Sequence, residues 1–223
     1  GGRPPPVPLL QPVGAECRTE IESLHFVAAL DSNPEMRCVL GLFEGVVTGA
    51  ADGYGRMARK PAATLTHLGP GLGNGLANLH NAKKARTPVV NVVGDHATFH
   101  RKYDAPLSSD VEGVARPVSN WVKVSESADD VAQDGALAVQ AAMSPPGQVA
   151  TLILPADTAW NRTTAQASPL APPPPKAFTP NNVDSVAAAL KTGEPAVLLV
   201  NGFITAERTA MADKIAQATG AKV

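Results

Sequence analysis

Along the chain, short apolar runs alternate with amphipathic stretches. Leu24, Phe26, Val27, Ala28 and Leu30 fall at helical spacing, and the polar, proline-ended segment 31–34 closes that helix. Residues 37–42, with CVLGL at their core, predict a short buried strand. The next helix carries Val46, Val47, Ala50, Ala51, Tyr54, Met57 and Ala58. Gly45, Gly49 and Gly53 recur along one face of it, which predicts close approach of another helix, within the chain or across a subunit interface. A strand over 62–68, a glycine loop over 69–75, a helix over 76–86 and a strand over 88–93 follow. Residues 95–119 read as loop, 121–124 as a brief apolar run, 128–143 as a helix and 149–154 as a last strand before Pro155. This rhythm predicts an α/β fold, a doubly wound and mainly parallel sheet covered on both faces.

The flanking segments break the rhythm. Pro4, Pro5, Pro6, Pro8 and Pro12 withhold backbone donors and fix φ, so residues 1–23 are expected to form an atypical extended arm with no central strand. The segment QASPLAPPPPKAFTP, residues 166–180, reads as a semi-rigid polyproline linker after a domain spanning 24–165. Residues 181–223 supply a helix, a buried strand over 196–200 and a helix over 206–219. That is too little to close a core, so a truncated second α/β domain is expected.

Composition narrows the chemistry. The 223 residues are 44% hydrophobic with a net charge of -1, enough for a core and without the basic footprint of a nucleic-acid or anionic-membrane binder. No run approaches the roughly 18 to 20 apolar residues of a membrane span. Cys17 and Cys38 stand far apart, which points to buried, reduced thiols in a cytoplasmic protein.

Three features carry candidate chemistry. Glu44 is a carboxylate among Leu40, Leu42, Phe43, Val46 and Val47, where a charge is costly without a partner. A helix N-terminal carboxylate favoured by the macrodipole is the plainer reading, and both stay open on pattern alone. His67 ends a strand at the carboxyl edge of the expected sheet, where such folds place ligands, although on pattern alone a satisfied, partly buried histidine is the plainer reading. The run from Gly69 through Gly71 to Asn74 and Gly75 fails both the dinucleotide fingerprint and the P-loop ending, leaving either a tight turn or a close approach to a ligand. His96 and His100 have metal-ligand spacing only if helical, and their surroundings read as loop.

The run FEGVVTGAADGYGRMARKPAATLTHLGPGLGNGLANLHNAKKARTPVVNVVGDH resembles the pyrimidine-binding domain of thiamine diphosphate enzymes of the acetolactate synthase, benzoylformate decarboxylase and pyruvate decarboxylase superfamily. The resemblance extends from about Leu24 to Trp160, and residues past the linker look like the opening of that family's central domain. It implies that Glu44 hydrogen-bonds N1′ of the cofactor aminopyrimidine and favours the imino tautomer that removes the thiazolium C2 proton. Phe43 and its apolar neighbours would strengthen that bond by desolvation.

His67 matches an active-site histidine of benzoylformate decarboxylase-like members, while Gly69, Gly71 and Asn74 would shape the cofactor cleft. The resemblance further implies a 2-oxo acid substrate, a homodimer or tetramer, and Mg²⁺ held with the diphosphate by a C-terminal domain absent from this sequence. A flavin in the central domain stays open. The family's early helix, strand and Asn-Pro-Gly turn should precede Leu24, where this chain has its proline-rich arm, so an altered start is expected. The expected function is the N-terminal part of a 2-oxo acid lyase or transferase, inactive alone. The alternatives are a non-catalytic module pairing with a separate pyrophosphate-domain chain, and a nucleotide-binding Rossmann protein.

Overall fold

A computed structural model describes residues 9–12, 21–175, 177–200 and 204–223. The chain divides into two compact units, Gly1–Pro173 and Pro174–Val223, a division inside the proline-rich segment.

In the first unit, strands β1 (Leu9–Pro12), β2 (Cys38–Gly41), β3 (Ala62–His67), β4 (Val89–Asp95), β5 (Trp121–Val124) and β6 (Val149–Pro155) form one six-stranded sheet in the order β2-β1-β3-β4-β6-β5. Every pairing is parallel, as strands joined by helical crossovers require. The crossovers include α1 (Ile21–Asp31), α2 (Glu44–Ala58), α3 (Leu68–Ala85), α4 (Val111–Ala115) and α5 (Ala128–Met143), and α6 (Ala156–Trp160) follows β6.

Side-chain alternation sorts the two faces. On β4, Val89 and Val93 join Val47, Leu72, Leu79 and Ile153 in one core, while Val90 and Val92 join Leu65, Ala138, Leu152 and Leu154 in the other. Each large side chain buried there contributes about 1.5–3 kcal/mol. Register is set by a polar ladder inside the first face. Thr64 donates to Asn91 Oδ1 at 2.9 Å, and Asn91 Nδ2 donates to Thr151 Oγ1 at 3.1 Å. Thr64, Asn91 and Thr151 are register partners across β3, β4 and β6, so a one-residue slip would strand all three buried groups.

Several expectations are corrected. Leu9–Pro12, inside the supposed arm, forms a strand between β2 and β3. The reason is that Leu9, Leu10 and Gln11 keep their backbone donors and Pro12 sits at the strand's end. Residues 21–23, also placed in the arm, open α1, and the rest, including Cys17, lie outside the described residues. β2 is an edge strand whose Cys38, Val39 and Leu40 are exposed, so neither a buried strand nor a buried Cys38 thiol is found.

The glycine loop 69–75 is helical: α3 begins at Leu68, directly after β3, with Leu68 itself in the left-handed region at φ 51°. The supposed loop 95–119 contains a 3-10 turn, Arg101–Tyr103, and α4. Gly53 has open space where a side chain would project, so the four-residue glycine spacing does not make a continuous contact face. Of the three glycines so spaced, Gly49 does face α3, where a Cβ would lie 3.0 Å from Asn78 Nδ2. Close approach occurs also at Gly55, where a Cβ would lie 2.9 Å from the Pro88 carbonyl, and at Gly75, where it would lie 2.9 Å from Thr48 Cγ2 on α2.

In the second unit, α7 (Pro180–Leu190) and α8 (Ala206–Thr219) are helical as the pattern predicts. The expected buried strand at 196–200 is not found. Val197 makes an isolated bridge to Lys222, and Val197 and Leu199 are exposed. Among the described residues no helix is long and apolar enough to cross a membrane.

Candidate active site

Phe43, with extended backbone, leads from β2 into α2, and Glu44 is the first residue of that helix. A carboxylate there is favoured by the helix dipole. It is also held by a neighbour, since Asn74 Nδ2 on α3 donates to Glu44 Oε2 at 3.2 Å. The other oxygen, Oε1, faces the bare Cα of Gly71. A methyl group on Gly71 would sit 3.4 Å from Oε1 and 3.7 Å from His67 Cβ. Glu44, His67, Gly71 and Asn74 are therefore brought together at the carboxyl end of β3, with Gly71 at the centre.

This convergence follows from the turn at Leu68. A left-handed leucine, costing of order 1–3 kcal/mol of backbone strain, reverses the chain from strand to helix without a loop. It presents half-buried His67 at the strand end and brings the glycine-rich first turns of α3 against α2. Gly69 stands one step aside from the cluster: its N–H donates to Ser109 Oγ at 2.9 Å, and a Cβ there would collide with that hydroxyl.

The apolar shield expected over Glu44 is not formed by the described residues flanking it in sequence. Only Val47 is buried; Leu40, Leu42, Phe43 and Val46 are 65%, 83%, 49% and 60% exposed. These side chains point to solvent because β2 is an edge strand and α2 meets the sheet through Val47 and Ala51. An apolar rim around a half-buried carboxylate is the result.

On the far side of Gly69, at the ends of β4 and β6, a polar cleft of about 410 Å³ is lined by residues that include Asp95, His96, Arg101, Ser108 and Ser109. Arg101 pairs with Asp95 at 2.6 Å. Thr98 donates to Asp157 through its N–H at 2.9 Å and its hydroxyl at 2.5 Å. Burial acts to raise the Asp157 carboxyl, but those bonds, with Arg101 nearby, hold it below the usual aspartate range. The His96 and His100 rings lie 5.2 Å apart between centres, tilted at 54° to each other. Among the described residues no three His, Cys, Asp or Glu side chains form a metal-holding group.

Sequence reasoning missed two contributors. Ser109 fastens the segment before α4 to the start of α3, and Asn78 Nδ2 donates to the Gly45 carbonyl at 2.7 Å. Asn78 was detectable in principle, because it lies one helical turn beyond Asn74 once 69–75 is read as helix.

Residues 19–114 match the family described as thiamine pyrophosphate enzyme, N-terminal TPP binding domain. IlvX of Mycobacterium tuberculosis, whose name places it provisionally among acetolactate synthase large subunits, is 56% identical over 200 residues, covering 89% of this chain and 38% of that protein. Benzoylformate decarboxylase of Pseudomonas aeruginosa is 32% identical over 128 residues, covering 57% of this chain and 24% of that protein. The chain thus spans well under half the length of either relative. In fold, a crystal structure of benzoylformate decarboxylase from Polynucleobacter necessarius superposes with a TM-score of 0.73 at 23% identity, covering 86% of this chain and 35% of the other. Residues 19–114 therefore belong to the N-terminal TPP-binding domain of the thiamine pyrophosphate enzymes, in an acetolactate synthase-like chain.

Proposed function

We propose that this chain supplies the pyrimidine-binding half of a thiamine diphosphate-dependent 2-oxo acid lyase or transferase, with Glu44 as the proton partner of the cofactor. The observation that carries this reading is the division of labour at the Glu44 carboxylate. Oε2 is taken by Asn74, while the space beside Oε1 is kept open by Gly71. A flat heteroaromatic ring nitrogen fits such a site, where a carboxyl group can share or hold a proton. Bound thiamine diphosphate supplies the carbanion-stabilising chemistry.

The protein's own contribution is orientation and proton handling. Asn74 fixes which carboxylate oxygen is available. His67 lies on the other side of Gly71, where it would move protons to and from the 2-oxo acid. The exposed rim of Leu40, Leu42, Phe43 and Val46 supports closure of the site by a second polypeptide, in a homodimer or tetramer. In this reading Mg²⁺ and the diphosphate are held by residues outside positions 1–223.

The test is 2-oxo acid turnover by the purified 223-residue protein, alone and mixed with a polypeptide carrying the diphosphate site. The expected result is negligible turnover alone, turnover on mixing, and its loss in Glu44→Gln. Cofactor-dependent turnover by the chain alone would overturn the divided site, and full turnover by Glu44→Gln would overturn the role of Glu44.

A further inference from the structure

We propose that Asn78 is a positioning residue for Glu44, an inference that rests on the proton-partner reading of Glu44. Asn74 and Asn78 lie one turn apart on α3 and grip consecutive residues of α2. Asn74 Nδ2 donates to the Glu44 side chain at 3.2 Å, and Asn78 Nδ2 donates to the Gly45 main-chain carbonyl at 2.7 Å. The first bond alone leaves the carboxylate on the first residue of a helix, at an end that frays. The second holds the Gly45–Val46 peptide, one residue beyond Glu44, and so ties the first turn of α2 to the same helix that carries Asn74.

Room for this bond comes from Gly49, since a Cβ there would sit 3.0 Å from Asn78 Nδ2. Asn81 Nδ2 lies 3.5 Å from Asn78 Oδ1, which orients the amide with its donor toward α2. One turn nearer the site, the Thr48 hydroxyl lies 3.1 Å from the Gly75 carbonyl, a third tie between the same helices. Gly49 is thus explained by the amide it admits, and Asn78 acts on the site through the backbone without touching the cofactor.

The experiment compares Asn78→Ala, Gly49→Ala and the double variant in the thiamine diphosphate-loaded enzyme that carries this domain, with amide hydrogen exchange of α2 in the 223-residue chain. A misplacement on the 1 Å scale predicts a drop in kcat of about 10- to 100-fold for each single variant, with the KM for cofactor changed much less. Exchange in the first two turns of α2 should accelerate about tenfold or more, with the last turns unaffected. Because Gly49→Ala acts by displacing the Asn78 amide, the double variant should lose no more than the worse single one.

Wild-type kcat in folded Asn78→Ala, or unaltered exchange at the start of α2, overturns the positioning role. Wild-type turnover in Glu44→Gln instead overturns the proton-partner reading and the inference with it. An inactive Glu44→Gln beside a fully active Asn78→Ala overturns the inference alone.

Discussion

Asn74 donates to Glu44 Oε2 at 3.2 Å across 30 residues of sequence, so the carboxylate that opens α2 is held by the helix that follows β3. Asn74 is exposed, and a single hydrogen bond at such a position contributes about 1 kcal/mol or less to stability. Asn74→Ala should leave thermal unfolding nearly unchanged while lowering turnover of the assembled enzyme about tenfold or more, since the carboxylate loses its orienting donor. Parallel melting curves and turnover measurements check this.

Two glycines in the same helix pair should respond in opposite ways. At Gly71 a methyl group meets only ordinary contacts, 3.4 Å from Glu44 Oε1, and relief of the glycine helix penalty is worth up to about 1 kcal/mol. Gly71→Ala should therefore melt at the same or a higher temperature yet bind cofactor less well, because the methyl fills the space beside Oε1. At Gly55 the methyl would meet the Pro88 carbonyl at 2.9 Å, so Gly55→Ala should destabilise the fold by about 1–3 kcal/mol. Denaturant unfolding with cofactor titration separates the two.

The Thr64–Asn91–Thr151 ladder predicts a stability effect distant from the chemistry. Asn91→Val leaves the buried Thr64 and Thr151 hydroxyls without their amide partner, at a cost of about 1–3 kcal/mol. Adding Thr64→Val should recover part of that loss, which equilibrium unfolding of the single and double variants measures.

Asp157 predicts a pH dependence with a defined sign. Its folded pKa lies below the ordinary 3.8, so its bonds to Thr98 stabilise the fold fully above that value. The contribution is lost as pH falls through the folded pKa. The stability difference between wild type and Asp157→Asn should be constant from neutral pH down to about pH 5 and shrink on further acidification. A difference that grows toward acid contradicts this account.

Much of the sheet and most of the helices were legible because burial wrote itself into the sequence. The run Val89–Asp95 is buried on both faces, and α5 begins and ends where its pattern does. The glycine stretch 69–75 misled because low helix propensity was outweighed by packing: Gly69, Gly71 and Gly75 are buried against Ser109, Glu44 and Thr48. β1 was hidden by the prolines around it, although three of its four residues retain their donors. The apolar residues around Glu44 were visible, but no pattern told that they face solvent; that depends on β2 being a sheet edge. Glu44, His67, Gly71 and Asn74 were all named from the chain and do come together, whereas Asn78 depended on knowing that the glycine run is helical.

The most direct test of the central claim is the exchange of the thiamine diphosphate C2 proton for deuterium, followed by NMR after quenching, in the cofactor-saturated enzyme that carries this domain. With Glu44 as proton partner, Glu44→Gln should slow that exchange by about 100-fold or more while the cofactor remains bound. Exchange at the wild-type rate in the cofactor-saturated variant would contradict the account.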